Sequence, residues 1–475
     1  MDEIKLSDDV FEQIKNFTHY RLTEEQESLI DKLITDKELK ERYKKNGFCK
    51  ICKQPRPNYL YCQSCNSQYF KQNFKNWTSE NHDVDEFIQK AQLNAKFFFQ
   101  IIEWIEYDKF EDAEYLAKGG FGITFKAVWK DGPILYWDCN NNQWKRKGQK
   151  KVALKYLHNS QDITVDFLKE VESNILVRGY VDCIVPCFGI TKDPKTNNFM
   201  MVMDLKNGSL RQYLNNNFIS LNWKQKLTSL YNIACGLRNI HNKGFIHRDF
   251  HCGNILSNFK DFLFITDLGL CQPANVKSSQ NRNKKIYGVL PYVAPEVLRG
   301  NEYTQKSDIY GFGIIAYEIC TGFPPYHDIT HDDFLAMKIC QGLRPKCDYK
   351  IPQLVAVIIN QFWDADPLKR PNADELCKLI LELLHDIRDN KVDSIIYRQV
   401  KETDDINKKL SFSSPLISTG TLSYETHPQA VYTSRLLDFK NLPKPKNADN
   451  DDLEYSDSLR MDFTKLDINS KDKRN

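Results

Sequence analysis

No stretch of this sequence stays apolar long enough to cross a bilayer. The longest apolar runs, Phe97–Phe99 with Ile101–Ile102 and Phe312–Ile319, are interrupted or short. The first residues, Met1-Asp-Glu-Ile-Lys-Leu-Ser-Asp-Asp, are acidic and lack the apolar segment of a signal peptide. Neither sign of charge dominates: 66 basic residues against 63 acidic ones leave a net charge of +3, so the balance does not imply a nucleic-acid partner. No internal repeat is visible, and tryptophan is absent after about residue 390. A soluble cytoplasmic protein with no membrane span is expected, nuclear entry remaining open. Without an export signal, the 14 cysteines are expected to be thiols or metal ligands, not a disulfide scaffold.

What is present supports a sizeable core. Hydrophobic residues make up 41% of the 475, and 28 Phe, 23 Tyr and 7 Trp exclude a wholly disordered chain. The length calls for more than one folded unit. Apolar positions Ile14, Phe17, Leu29, Ile30, Leu33 and Ile34 suit short amphipathic helices in a helical segment over 1–46. A cysteine cluster occupies 47–67. Phe87, Ala91, Ala95, Phe98, Ile102 and Ile105 then recur at helical spacing, which predicts one helix over 83–109, capped by Asp83 or Asp85 and packed on the following domain.

From about 110 to 385 strand-like runs (Val152-Ala-Leu-Lys-Tyr-Leu, Phe199-Met-Met-Val-Met) precede helical ones (Trp223–Asn242, Tyr310–Cys320). A β-rich part followed by an α-rich part predicts an α+β domain of two lobes with a cleft between them. Ser, Thr, Asp and Lys dominate 386–475, which reads as a largely disordered tail, for instance at Pro443-Lys-Pro-Lys and Asp449-Asn-Asp-Asp. The basic run from Trp144 to Lys151 lies in an apparent insertion, 131–151, and suits a solvated hairpin tip.

Within that domain, Leu116-Ala-Lys-Gly119-Gly120-Phe121-Gly122-Ile-Thr124 could bring backbone amides close to a polyphosphate. A dinucleotide fold would need a helix next. Phe125-Lys-Ala-Val-Trp continues as strand instead, which favours a flap over a nucleotide. Val152-Ala153-Leu-Lys155 ends a strand in lysine, and Glu170, fifteen residues on in a helical run, could hold it for gripping ATP phosphates. His247-Arg-Asp249-Phe-His-Cys-Gly-Asn254 is followed by Thr266-Asp267-Leu-Gly269. Asp249 could accept a hydrogen bond from a substrate hydroxyl, while Asn254 and Asp267 offer the hard oxygens that Mg²⁺ requires.

With these motifs in this order, residues 110–385 resemble the eukaryotic protein kinase family. Further marks are Ala294-Pro-Glu296 closing an activation segment, Asp308-Ile-Tyr-Gly-Phe-Gly bracing the catalytic loop, and Arg370 as the expected partner of Glu296. The resemblance implies that Leu116, Ala153 and Leu256 sandwich the adenine and that Met203–Leu205 form the hinge. Trp129-Lys-Asp-Gly, His247-Arg-Asp-Phe-His and Ile286-Tyr-Gly-Val-Leu-Pro-Tyr-Val-Ala-Pro-Glu resemble the tyrosine-kinase-like family expanded in arbuscular mycorrhizal fungi. Departures are Ala117 for the first loop glycine, Thr124 for a valine, Leu268 for phenylalanine, His251 for the lysine of serine/threonine kinases, and Val289 near a usual threonine. Arg248, beside the segment Leu270–Glu296, implies phosphate control there. Ser278, Ser279 and Tyr287 are the candidate acceptors, with Arg282, Lys284 and Lys285 as further cations.

Cys49-x₂-Cys52-x₉-Cys62-x₂-Cys65 forms two short knuckles able to close a tetrahedral thiolate site, and structural zinc is expected because no ligand position is left open. The sequence therefore predicts an ATP- and Mg²⁺-dependent protein kinase acting on Ser/Thr, Tyr remaining open, in intracellular signalling. The alternative is a scaffold that binds partners through the knuckle and tail. The intact Lys155, Asp249, Asn254 and Asp267 set separates the two. The protein substrate is not legible.

Overall fold

The computed structural model of the chain describes residues 5–58, 61–118, 122–157, 165–179, 183–258, 262–274, 286–346, 349–413 and 424–448. They divide into two units, Met1–Leu176 with Pro186–Leu205 and Val177–Val185 with Lys206–Asn475.

The first unit begins with helices Asp8–Ile14, Glu24–Leu33 and Lys37–Asn46, each started by a side chain that accepts from the first turn: Ser7, Thr23 and Asp36. Their apolar faces meet in a small core of Ile14, Ile30, Ile34, Leu39 and Tyr43. The main sheet of the unit runs in the order Glu103–Trp104, Cys187–Lys192, Phe199–Asp204, Lys150–Leu157, Gly122–Trp129, Phe110–Lys118. Only the first pair is parallel. Trp129, Val152, Leu154, Met200 and Val202 fill its buried face, as the alternation of apolar residues in these strands requires.

The helix expected over 83–109 is shorter, His82–Asn94, and its cap is Asn81, whose side chain accepts from Asp83 and Val84 N–H. Asp85 is instead held by Thr78 and Ser79. Beyond Ala95 the chain is needed by the sheet: Glu103 and Trp104 pair with Gly189 and Ile190, so Ile102 and Ile105 are buried without being helical. Sheet pairing has overridden a helical period.

The insertion is a hairpin, Ile134–Asp138 with Gln143–Arg146. Its exposed tip is residues 139–142, and the basic run from Trp144 to Lys151 is not at the tip but in the returning strand and the start of Lys150–Leu157. The hairpin's two tryptophans are not given to solvent, however, although Tyr136 is exposed. Trp137 stacks on Tyr69 at 4.0 Å and Trp144 on Phe70 at 4.5 Å, joining the hairpin to the Gln63–Asn73 helix that follows the cysteine cluster. Arg146 pairs with buried Glu103 and donates to the Gly132 carbonyl at 2.7 Å.

The second unit is helical. Trp223–Asn242 and Gln305–Thr321 are its buried axis, both opened by capping boxes, at Asn222 and Thr304. Ala373–Arg388 packs along the first of them and Gln353–Phe362 along the second. Arg370, completely buried, makes two parallel bonds to Glu296 at 2.7 and 2.8 Å and donates to the Asp364 and Lys306 carbonyls at 2.8 and 2.9 Å. Four of the five guanidinium N–H groups thus have acceptors, which makes a buried ion pair tolerable.

The segment read as a largely disordered tail over 386–475 is ordered in part. Helix Ile395–Ser413 packs on the unit, and strand Arg435–Leu437 pairs antiparallel with Ile286–Gly288. Residues 449–475, including Asp449-Asn-Asp-Asp, lie outside the described residues. Composition hides this order because Leu437 and its partly buried neighbours Tyr432, Phe439 and Leu442 are spaced without a helical period, yet all reach the same core.

Replacing Arg370 by methionine should strand Glu296 as a buried lone charge. The expected loss is about 3–5 kcal/mol, read as a lower denaturant midpoint of the full chain. An unchanged midpoint would show that the pair is not a structural lock.

Candidate active site

The first unit supplies a lysine-carboxylate pair. Lys155 lies in the middle of the sheet, opposite Thr124 on one side and Met201 on the other. Its ammonium donates to Glu170 Oε1 at 2.8 Å. Glu170 stands on helix Val165–Val177 with its side chain only 3% exposed. So buried a carboxylate holds the lysine in one direction. Ala153 is in register with Met203 on the neighbouring strand, and Leu205 follows that strand's end at Asp204. Leu116 and Thr124 lie on the two strands that flank the glycine turn, and buried Gly122 opens the second. Gly119, Gly120 and Phe121 fall outside the described residues.

The second unit holds Asp249, Asn254 and Asp267 on one short framework. Asp308, at the start of helix Gln305–Thr321, accepts from the backbone N–H of His247 at 2.8 Å and of Arg248 at 3.0 Å. His241 adds a contact of 2.9 Å to the same carboxylate. Arg248 has a φ of +71°, a left-handed conformation that costs a non-glycine residue free energy and persists only where its surroundings enforce it. The two amide bonds to Asp308 do so. His247 accepts from the Asp249 N–H at Nδ1, 3.3 Å, and its Nε2 then donates to the Thr266 carbonyl, 3.2 Å. Burial keeps this imidazole below its ordinary pKa, consistent with a neutral ring making both bonds.

Asn254 donates through its amide nitrogen to the Asp249 carbonyl at 2.9 Å and to Asp249 Oδ2 at 3.2 Å. The amide's oxygen is thereby left as a hard ligand. Thr266 N–H bonds back to the Asn254 carbonyl at 3.0 Å, which ties the metal-type motif to the catalytic-type loop. Asp267 follows with φ +59°, a second left-handed residue at the site. Leu268, in the place of the usual phenylalanine, is buried in the helical core. Leu256 pairs with Phe264 and Ser209 in the small sheet behind the loop.

Burial alone would raise the Asp249 carboxyl. His251, 3.5 Å from Oδ2, leads the contacts that outweigh it, so Asp249 sits below the usual carboxylate range. A depressed pKa means the ionised form, and the stability it brings, is present at neutral pH and lost only as pH falls through the lowered value. His251 Nδ1 accepts from Gly253 N–H at 3.1 Å, which aims Nε2 at Asp249. Arg248 does not point at an anion among the described residues: its guanidinium lies 4.9 Å from the Tyr303 ring centre. Ser278, Ser279, Arg282, Lys284 and Lys285 lie outside the described residues, while Tyr287 is in the paired strand Ile286–Gly288.

Residues 110–380 match the family described as protein tyrosine and serine/threonine kinases. The chain belongs to this family. Among related proteins, it is 27% identical over 289 residues to a "Dual specificity protein kinase shkE" of Dictyostelium discoideum, covering 60% of this chain and 38% of that one. It is 31% identical over 221 residues to an Arabidopsis thaliana "Protein kinase and PP2C-like domain-containing protein", 40% of this chain and 33% of that one. A "Probable serine/threonine-protein kinase roco5" of Dictyostelium discoideum is 29% identical over 287 residues, 56% of this chain and 9% of that one. The chain thus spans well under half the length of these kinases, and the kinase fold itself, a β-sheet lobe and a helical lobe, is what they share.

Sequence reasoning did not find a second buried anchor of the kinase domain. Glu318, fully buried, pairs with Arg211 and accepts from the Tyr292 hydroxyl. Arg211 also donates to the Gly322 carbonyl at 2.6 Å. The signal was present, since a glutamate inside the apolar run Phe312–Ile319 needs a cation. No spacing rule links it to Arg211, 107 residues away.

The cysteine cluster has the geometry of a tetrahedral site. All four sulfurs lie within 4.8 Å of one another, with Cys49 and Cys65 at 3.8 Å and Cys52 and Cys62 at 3.7 Å. Zinc-sulfur bonds of about 2.3 Å at tetrahedral angles imply sulfurs about 3.8 Å apart. These are four thiols around one centre, and not disulfides.

Gly311 shows how tightly the loop is held: a methyl group there would stand 2.7 Å from the Phe250 carbonyl oxygen. Gly311→Ala must push the helix from the loop that carries Asp249. The expected result is a stability loss of about 1–3 kcal/mol and a fall in kcat for phosphoryl transfer with little change in ATP affinity. Unchanged kcat would mean that this contact does not position Asp249.

Proposed function

We propose that the chain is an active serine/threonine-type protein kinase of the tyrosine-kinase-like group, using Mg²⁺ and ATP. The observation that carries this is the joined geometry of the loop: Asn254 bonds Asp249 and, through its carbonyl, the N–H of Thr266 next to Asp267, while Asp308 holds the amides of His247 and Arg248. Lys155, aimed by Glu170, would bind the α- and β-phosphates. Asn254 and Asp267 would hold Mg²⁺, whose chemistry is to neutralise the charge of the phosphates. Asp249 orients the acceptor hydroxyl and receives its proton. The remaining work is positioning and electrostatics, which suffices for a loose transition state. Adenine would rest against Leu116, Ala153 and Leu256, with Met203 and Leu205 at the hinge and Gly119, Gly120, Phe121, Gly122 and Thr124 over the phosphates. Tyr292, just before Val-Ala-Pro-Glu296, favours Ser/Thr over Tyr as acceptor.

Cys49, Cys52, Cys62 and Cys65 bind one structural zinc, which the sulfur spacing supports. The knuckle, backed by the aromatic hairpin, serves as a docking module for cytoplasmic signalling partners. No helix among the described residues is long and apolar enough to cross a membrane.

Asp249→Asn should abolish transfer and leave ATP affinity nearly unchanged, because its carboxylate faces the acceptor. Asp267→Ala should abolish transfer and weaken binding of Mg-ATP as well. Equilibrium binding and transfer assays on both variants check this split; transfer surviving in Asp249→Asn would overturn the assignment.

Metal analysis of the purified chain should find about one zinc. Chelation should unfold the 47–67 segment, because metal bonds there substitute for a core, and should disturb the Trp137 and Trp144 fluorescence without melting the kinase domain. Four readily alkylated thiols in native protein with no metal would refute the site.

A further inference from the structure

The partner that β-strand Ile286–Gly288 selects is the chain itself. Register pairs Ile286 with Leu437, Tyr287 with Leu436 and Gly288 with Arg435; continued by one residue, it sets Ser434 opposite Val289. That end of the pair lies at the catalytic aspartate, since a methyl group on Gly288 would be 3.8 Å from Asp249 Oδ1. The Ser434 hydroxyl oxygen and Asp249 Oδ1 are both buried, and neither completes a hydrogen bond of ordinary geometry. A buried hydroxyl on the strand that runs past a buried carboxylate oxygen, both still lacking a partner, is the arrangement of an acceptor before its proton is taken.

The rest of the segment is fastened along the same unit. The Tyr424 hydroxyl bonds Asn215 at 3.1 Å, and His427 N–H bonds the His327 carbonyl at 2.7 Å. Val431 N–H donates to His331 Nδ1 at 3.1 Å, and the Tyr432 hydroxyl donates to the Pro325 carbonyl at 2.9 Å. Arg435 donates to the His331 carbonyl at 2.6 Å, and Leu437 is buried in the main core. Further on, Lys446 N–H reaches the Cys340 carbonyl at 3.0 Å, and the Asn447 side chain accepts from Ala365 N–H at 2.8 Å. An extended segment added to an exposed strand, with alternate side chains in pockets, is a recurring way of binding a peptide.

We propose that residues 424–448 occupy the acceptor-peptide site of the kinase domain, so that the tail excludes other protein substrates and presents Ser434 as an intramolecular phosphorylation site. This rests on the kinase assignment above. In the step, Ser434 Oγ forms a bond to the γ-phosphorus of ATP as the bond from that phosphorus to the bridging oxygen of ADP breaks. The hydroxyl proton passes to Asp249, and the products are ADP and phosphoserine 434. Once Asp249 has released that proton to solvent, the new phosphate, close to a dianion, faces its carboxylate, and like-charge repulsion drives the strand from the site. Until that happens, tethering keeps the segment at a high effective concentration that a free substrate must outcompete. The acceptor preference implied for other proteins is an extended strand with arginine following the hydroxyl and an apolar residue at the third position after it.

The test uses the full chain with Mg-ATP, in wild type and in two variants that release the strand. Leu437→Glu places a charge in the apolar pocket, whereas Leu436→Pro breaks the ladder at a residue whose side chain is half exposed and leaves the core intact. Mass spectrometry should find wild-type Ser434 phosphorylated, at a first-order rate independent of protein concentration. Both variants should phosphorylate a subsaturating synthetic peptide of residues 428–441 about tenfold faster than unphosphorylated wild type. If the peptide is phosphorylated equally by all three proteins and Ser434 stays unlabelled, the tail proposal is wrong and the kinase assignment stands. Labelling whose rate rises with protein concentration overturns the intramolecular site. No transfer by any of the three to any acceptor overturns both.

Discussion

The carboxylate of Asp308 is the constraint on which the catalytic geometry depends. It is buried and accepts two successive backbone amides, of His247 and Arg248, together with His241. Two amides can converge on one carboxylate only if the chain between them turns sharply, and the left-handed Arg248 is that turn. The strain is confined to one residue and is held by charge-assisted hydrogen bonds in a site with little competing water. Asp249, the next residue, inherits its direction from this turn. Asn254 then fixes Asp249 from the other side, and Thr266 fixes Asn254. A chain of short contacts thus converts one helix start into the placement of three functional side chains.

Around that centre the fold relies on ion pairs whose arginines each make several hydrogen bonds. Arg370 with Glu296 and Arg211 with Glu318 both link the end of the activation segment to the helical body. Removing either partner would leave a lone charge in the interior, so these pairs hold the segment in one arrangement more through the cost of disruption than through net attraction. The same platform carries the tail strand. A surface made rigid for peptide recognition is also a surface on which the chain's own extended segment can rest.

The kinase motifs were legible because their chemistry is local. Lysine after a strand, Asp and Asn five residues apart, and Asp-Leu-Gly keep their spacing whatever surrounds them. The four-cysteine cluster was legible for the same reason: Cys49, Cys52, Cys62 and Cys65 are close in sequence, and the sulfurs meet. Features that depend on distant partners were not. The 83–109 helix stopped at Asn94 because Glu103 and Trp104 pair with a strand more than eighty residues away. Trp144 was read as part of a solvated tip, but its stacking partner Phe70, like the Tyr69 under Trp137, belongs to another element. The tail looked disordered because its polar composition gives no periodicity. Its order comes from an edge strand, His331 and a core pocket, none of which its own sequence reveals.

Phosphoamino-acid analysis of the purified full chain after incubation with Mg-ATP and a mixed protein acceptor tests the central claim most directly. The geometry of Asp249, Asn254 and Asp267 predicts labelled phosphoserine or phosphothreonine in a reaction that requires Mg²⁺. A folded, zinc-replete chain that binds ATP yet yields no labelled amino acid on itself or on any acceptor would contradict it.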